Sequence, residues 1–357
     1  MVSIKTLQRP DYELINEDFL LATDNLPKLP VLCKLLMQTV TGNDIEAAAF
    51  LLKKGEVVAV PTETVYGLAA NALDEKAVLK IYETKSRPSF NPLIIHVASQ
   101  NEFRLYSDAI PNKCLLLAEK YSPGPVTFLL PKKEIIPGLV TAGSDRVAIR
   151  IPDHPLTLQL LKLLDFPLAA PSANLSGYVS PVSAKDVADG LAGKIPYILD
   201  GGECKIGVES TIIGFENDDV IIHRLGGIAV EEIEKLLHQK VVLKLTGDDP
   251  ETPGQLKSHY ATNTPLYLGY VKEMLPKFRN EKVAVITLNR DYDMDPSLLF
   301  QLSVTGNLKE AASNLFKTLR LLDKLKPDVI LADLFPEEGL GRAINDRLRK
   351  AQHTNKL

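Results

Sequence analysis

Residues 57–68 read Val57-Val58-Ala59-Val60-Pro61-Thr62-Glu63-Thr64-Val65-Tyr66-Gly67-Leu68. Four apolar residues closed off by a proline predict a short buried strand, and the hydroxyls, carboxylate and glycine after it mark a turn. A helix precedes the strand: Ile45, Ala48, Ala49 and Leu52 recur at helical spacing, with Gly55 at the C′ position. Ala77, Val78, Ile81 and Tyr82 mark a second helix beyond it. Helix, strand and helix around a polar strand-end loop is an α/β pattern, and such loops often hold ligand groups because the strand aims them rigidly. Thr62, Glu63 and Thr64 would equally serve to cap the turn, and the stretch by itself does not separate the two uses.

The alternation continues outward. Strands are expected at Pro92–Ala98, Val126–Leu130, Val147–Ile151, Leu168–Ala170, Tyr197–Leu199, Glu209–Phe215 and Val220–Leu225. Helices are expected near Cys114–Tyr121, Leu156–Leu164, Ala184–Leu191 and Val230–Leu237. So many strands at mixed spacing predict a twisted, mixed sheet with helices packed on it. Residues 246–254, Thr-Gly-Asp-Asp-Pro-Glu-Thr-Pro-Gly, are dense in turn formers and read as a linker. A second unit follows. Val283–Leu288 and Val329–Leu334 are strand-like, Leu308, Ala311, Ala312, Leu315, Leu319 and Leu322 form an apolar stripe, and Ala343, Ile344 and Leu348 lie on a last helix. That order predicts a smaller C-terminal parallel three-layer α/β domain. The division is therefore an N-terminal extension over 1–43, a main domain over 44–240, a linker or lid over 241–265 and a small domain over 266–357. Neither G-x-G-x-x-G nor a Walker P-loop is present.

With 45% hydrophobic and 24% charged residues the 357-residue chain can bury a sizeable core. A net charge of −4 gives no bulk attraction for nucleic acid, so RNA binding would need a local basic patch. Cys33, Cys114 and Cys204 are far apart and match no zinc spacing, so no protein-held metal site is expected. Phe19 to Leu36 is broken by Asp24, Pro27, Lys28, Pro30 and Lys34 and cannot span a membrane. With no signal peptide evident, reduced thiols in a cytoplasmic protein are the expectation.

Further stretches carry chemistry. Lys85-Ser86-Arg87-Pro88, then Asn91-Pro92, place two cations one residue apart on a proline-stiffened chain, suited to polyphosphate; a solvated helix C-terminus explains the same residues. His96 lies in an apolar strand, where a histidine is more often a core residue than a catalyst. Ser122-Pro123-Gly124-Pro125 reads as an ordinary turn. Arg150, inside an apolar strand, must find an anion or a buried carboxylate. Ala169-Ala-Pro-Ser-Ala-Asn-Leu-Ser-Gly177 lets a ligand approach the backbone, and lacking a G-x-S-x-G elbow it makes Ser172 a binder rather than a nucleophile. Val208-Glu209-Ser210-Thr211-Ile212 and His223-Arg224-Leu225-Gly226-Gly227 complete the set.

Taken in order, P-T-E-T-V-Y-G-L, K-S-R-P, N-P-L-I-I-H, S-P-G-P-V-T, A-I-R-I-P, A-P-S-A-N-L-S-G, G-V-E-S-T-I-I and R-L-G-G resemble the YrdC-like threonylcarbamoyl-AMP synthase family over residues 44–237. The stretches 252–260 and 340–348 are similar to the linker and C-terminal domain of its long, two-domain form. The resemblance implies condensation of L-threonine, bicarbonate and ATP into L-threonylcarbamoyl-AMP with release of pyrophosphate. The product would pass to a separate transferase complex that modifies the adenosine next to the anticodon in tRNA. Mg²⁺ is implied on the ATP phosphates, held mostly by nucleotide and water. It places Thr64, His96, Arg150, Ala170 and Ser210 around threonine. Lys85, Arg87, Asn91, Arg146, Ser172, Asn174, Ser180 and Arg224 fall around ATP, with Lys85 and Arg87 as the catalytic pair. Pro253, His259 and Tyr260 belong to the linker, where Gln255 and Leu256 depart from the family's P-G-M-K-Y-x-H-Y. A carbamate is already a nucleophile, so positioning groups and cations suffice and no Ser/His/Asp arrangement is required. Two rivals remain. A carbamoyl-adenylate domain of the hydrogenase-maturation type would bring cysteine pairs and extra length, and neither is present. A plain RNA-binding module sits poorly with the net charge, although weak tRNA binding is compatible with catalysis.

Overall fold

The computed structural model describes residues 38–245, 252–253 and 260–353. Cys33, His259 and most of the expected N-terminal extension and linker lie outside them.

Among the described residues fifteen strands form two sheets. They are β1 (Val40–Gly42), β2 (Val58–Val60), β3 (Gly67–Asn71), β4 (Ile94–His96), β5 (Val126–Pro131), β6 (Arg146–Arg150), β7 (Leu168–Ala169), β8 (Tyr197–Leu199), β9 (Thr211–Glu216), β10 (Asp219–Arg224), β11 (Val242–Leu243), β12 (Leu266–Gly269), β13 (Val283–Thr287), β14 (Leu299–Gln301) and β15 (Val329–Asp333). The first eleven make one sheet in the order β1-β8-β2-β3-β7-β4-β6-β5-β9-β10-β11, with parallel and antiparallel pairs mixed as expected. The last four make a second sheet, β12-β15-β13-β14, whose pairs are all parallel.

The expected helices are present. Asp44 caps Ile45–Lys53 by accepting from the Ala47 N–H, and Gly55 follows at φ +74°, where a side chain is strained. Asp74 caps Glu75–Lys85, and Ser86 ends that helix in the left-handed region at φ 51°. The strand β3 is not evident from the sequence. Its Gly-Leu-Ala-Ala-Asn has no branched or aromatic residue, yet it is almost wholly buried as the antiparallel partner of β2, so packing overrides propensity.

In the second sheet the period of two divides the strands cleanly. Val283, Val285 and Leu331 face Val271, Met274 and Phe278. Ala284, Ile286, Ile330 and Ala332 face the helices Leu308–Leu325 and Gly341–Ala351, in a core continuous with that of the large sheet. The result is the expected three layers. The loop before β9 meets the helix Leu308–Leu325 closely: a Cβ at Gly207 would lie 2.6 Å from the Ser313 backbone, so only glycine admits this approach. Arg320, from the same helix as Ser313, donates to the carbonyls of Val179 and Ser180 at 2.7 and 3.2 Å.

Candidate active site

The strand register decides the centre of the site. In the parallel pair β4–β6, His96 stands directly beside Arg150, and Ile94 shares their face two residues away. The Ala170 N–H bonds the Ile94 carbonyl, which brings the 170–174 loop alongside. Val65, Arg87, Ile94, His96, Arg150, Ala170, Pro171, Ser172, Glu209, Arg224, Pro253 and Tyr260 line one cavity of about 50 Å³. That is room for a few water molecules at roughly 10–15 Å³ each.

In Pro61–Leu68 the capping use falls to Thr62. Thr62 Oγ1 accepts from the N–H groups of Thr64 and Val65 and so caps the turn. Glu63 and Thr64 instead hold Arg150: its Nη2 donates to Glu63 Oε1 at 2.7 Å and to Thr64 Oγ1 at 2.8 Å. The other Glu63 oxygen accepts from the Asp153 N–H at 3.0 Å. A carboxylate engaged on both oxygens is not poised as a base.

The K-S-R turn is not a solvated helix end. Lys85, 1% exposed, continues the buried helix face of Val78, Ile81 and Tyr82, and the exposed, left-handed Ser86 turns the chain beyond it so that Arg87 also points inward. Lys85 Nζ donates to the carbonyls of Ser172 and Asn174, both at 2.5 Å. Arg87 donates to the carbonyls of Asn91 and Pro92 at 3.1 and 2.8 Å. On β10 a bulge at His223 shifts the register between Ile222 and Arg224. Such a kink re-aims the next side chain. Arg224 turns onto Ser210, donating to its carbonyl at 3.0 Å and its Oγ at 2.9 Å, and reaches the Pro253 carbonyl at 3.4 Å. Ser210 Oγ also meets Thr127 Oγ1 at 2.7 Å, and Ser180 donates to Glu209 at 2.7 Å.

Burial shapes the charges. Together with the nearby Arg87, it pushes Lys85 well below the usual lysine range. It lowers Arg87 and Arg224 to about 10, which leaves both cationic at neutral pH. Burial and then the Arg150 charge bring His96 to about 3, so its imidazole is neutral. Burial works to raise Glu209, but Arg347 and Arg224 outweigh it and hold the carboxyl at about 2. Cations outnumber carboxylates around the cavity. Arg150 Nε, His96 Nδ1, Asn174 Oδ1 and both side-chain amide atoms of Asn91 are buried with no hydrogen-bond partner among the described residues. Buried groups left in this state favour a polar, anionic occupant.

Acid stability follows with a definite sign. Below pH 6.5 the unfolded chain protonates His96 while the folded chain, with its value near 3, does not, so stability falls as pH drops through that window. Glu209 adds a second loss below pH 4.5. Each group contributes on the order of 1 kcal/mol per pH unit within its window. The urea midpoint is expected to decline from pH 7 to pH 5 and to decline less in His96→Gln; equal slopes for the two proteins would remove His96 from this account. His154, also lowered by burial, stays in the variant and keeps part of the slope.

Of the expected residues, Arg87, His96, Arg150, Ala170, Ser172, Arg224, Pro253 and Tyr260 line the cavity. Lys85, Thr64, Ser210 and Ser180 stand one hydrogen bond behind it, through Ser172, Arg150, Arg224 and Glu209. Asn91 is tied to Arg87 by its carbonyl, and Asn174 to Lys85 by its own. Arg146 is not brought in. It stands at the opposite end of β6 from Arg150, roughly 13 Å away at the strand rise, 3.5 Å from Glu216. Val65, Ile94, Pro171 and Glu209 line the cavity although the reading of the sequence assigns them no role, each standing within one of the motif stretches; for Glu209 the signal was the carboxylate in Val208-Glu209-Ser210-Thr211-Ile212. Among the described residues no three His, Cys, Asp or Glu side chains are grouped to hold a metal, and Glu63 and Glu209 are both taken by arginines. These residues do not fit a protein-held magnesium site.

Comparison with known proteins identifies the family and the fold. A family model described as "Telomere recombination", of the Sua5/YciO/YrdC group, matches residues 50–226, and one described as "Threonylcarbamoyl-AMP synthase, C-terminal domain" matches residues 228–352. The chain is similar to the threonylcarbamoyl-AMP synthase of Pyrococcus abyssi, 44% identical over 86% of this chain and 93% of that one. The Bacillus subtilis threonylcarbamoyl-AMP synthase is 41% identical over 86% of this chain and 92% of its own length. A crystal structure of P. abyssi Sua5 complexed with L-threonine superposes with a TM-score of 0.81 at 41% identity, covering 88% of this chain and 96% of that one.

Proposed function

Because this chain belongs to the threonylcarbamoyl-AMP synthase family, we propose that it makes L-threonylcarbamoyl-AMP from L-threonine, bicarbonate and ATP, as a nucleotidyltransferase serving tRNA modification. The observation that carries the assignment of roles is Arg150: buried, fixed by Glu63 and Thr64, with Nε unpaired beside the unpaired Nδ1 of His96. Arg150 takes the threonine carboxylate, and His96, Thr64, Ala170 and Ser210 frame the rest of the amino acid. Lys85, Arg87 and Arg224 take the triphosphate, while Asn91, Ser172, Asn174 and Ser180 position the nucleotide; Arg146 is the outlying member of that set.

In the first step the threonine amine attacks bicarbonate, forming the carbamate C–N bond and releasing water. A carbamate oxygen then attacks the α-phosphorus; the O–P bond forms as the bond to the bridging oxygen breaks, and the electron pair leaves on pyrophosphate. Lys85, Arg87 and Arg224 balance the charge gathered there. The described residues offer no resident site for Mg²⁺, which would arrive as the counter-ion of ATP, and no step here depends on it. Arg224 reaches the Pro253 carbonyl, and Tyr260 lines the same cavity. A cavity of about 50 Å³ does not admit ATP with these residues in place, so we read Pro253 and Tyr260 as the part of a lid that withdraws for the nucleotide and returns to exclude water. No helix among the described residues is long and apolar enough to cross a membrane. The buried free thiols of Cys114 and Cys204 suit a reducing, cytoplasmic setting. We further propose that the product passes to a tRNA threonylcarbamoyl transferase complex.

The test is mass spectrometry of the product formed from ATP, bicarbonate and each candidate amino acid. A threonylcarbamoyl adenylate is expected with threonine. Pyrophosphate release that ignores the amino acid supplied would refute the proposal.

A further inference from the structure

One buried cation reaches the nucleotide side of the cavity from the second sheet. Arg347, on the helix Gly341–Ala351, has a wholly buried side chain. Its Nε donates to Glu209 Oε2 at 2.8 Å, its Nη2 to the Leu225 carbonyl at 2.8 Å and its Nη1 to Asp346 at 2.6 Å. Its guanidinium carbon lies 5.1 Å from the centroid of the Tyr260 ring. Three parts of the cavity wall thus converge on it: Glu209, the end of β10 just after Arg224, and Tyr260.

Glu209 is the key to what this does. It lines the cavity next to Ser210, which Arg224 grips, and its other oxygen holds Ser180. Left alone, this carboxylate would turn its charge on Arg224 and cancel the attraction for an anion. Paired with Arg347, it is already neutralised from behind.

We propose that Arg347 is a positioning residue for ATP, which keeps Arg224 electrostatically available by neutralising Glu209 from the C-terminal helix. This rests on the reading of the Arg87–Arg224 side as the triphosphate site. The pair is closed off from solvent, so a Glu209 carboxylate left without Arg347 would act on the neighbouring Arg224 with little screening. The threonine carboxylate rests on Arg150, whose own partners Glu63 and Thr64 do not touch Glu209 or Arg347, so threonine binding is expected to change less.

Binding of a non-hydrolysable ATP analogue and of threonine is measured separately by calorimetry, on the full chain. In Arg347→Met the analogue is expected to bind about tenfold more weakly or worse, since roughly 1.4 kcal/mol of lost attraction is a factor of ten, while threonine changes by less than about threefold. Adding Glu209→Gln to that variant removes the stray charge and is expected to restore analogue binding to within about threefold of wild type. A merely structural arginine gives another pattern, because the bond to Leu225 and the packing stay lost in the double variant. Three results overturn the proposal: Arg347→Met binding the analogue like wild type, both ligands weakening in parallel, or no rescue by Glu209→Gln. Should Arg347→Met not fold, the double variant decides alone, its analogue affinity either within threefold of wild type or tenfold below it. Wild-type protein that binds threonine but no analogue would instead overturn the reading of the triphosphate site itself, and the proposal with it.

Discussion

Arg150→Ala is expected to abolish threonine-dependent pyrophosphate release while ATP binding survives. Removing one partner of a buried, hydrogen-bonded charge contact costs about 2–5 kcal/mol, or roughly 30- to several-thousand-fold in threonine affinity. The guanidinium meets Glu63 at 2.7 Å and Thr64 at 2.8 Å, so its orientation toward the cavity is set before substrate arrives. The substitution also strands Glu63, 4% exposed, as a buried carboxylate without its counter-charge. Arg150→Ala is therefore measured beside Arg150→Ala/Glu63→Gln, which relieves that burden. Pyrophosphate release and threonine titrations are the readouts. If both variants used threonine at wild-type concentration, Arg150 would have to be struck from the threonine site.

Lys85→Met is expected to lower kcat/KM for ATP by about 100-fold or more, the scale of removing one preorganised donor from a charged transition state. Its ammonium bridges the carbonyls of Ser172 and Asn174, both at 2.5 Å, and so sets the shape of the 172–174 loop as well as supplying charge. The variant loses both. Lys85→Arg is not expected to rescue it, because a planar fork cannot sit between two carbonyls that close on a single nitrogen. Steady-state pyrophosphate release at varied ATP gives the answer, with threonine binding as the control for folding. An ATP dependence within twofold of wild type would show that Lys85 has no part in nucleotide handling.

Much of the fold was legible because the strands that decide it are apolar and branched. Val58–Val60, Ile94–His96 and Tyr197–Leu199 announce themselves, and caps such as Asp74 sit where the pattern changes. The stretch Gly67–Asn71 did not, because small residues suit a strand only once neighbours bury them. The site residues were legible as a set: charges and hydroxyls at strand ends, in a fixed order. Single residues were not. A lysine at a helix end looks much the same whether it faces water or two carbonyls, although Lys85 continues the buried face of Val78, Ile81 and Tyr82 at helical spacing. Arg347 was harder still, since its partner Glu209 lies 138 residues away and no local pattern links the two. The one local sign was a charge on the apolar stripe of Ala343, Ile344 and Leu348.

The pairing of Arg347 with Glu209 also bears on how long a gene of this kind can be. A version of the chain that stopped after β11 would keep that buried acid with Arg224 as its nearest cation, the same group that the triphosphate is proposed to use. A chain cut there is expected to handle the nucleotide better with Glu209→Gln than with the acid kept.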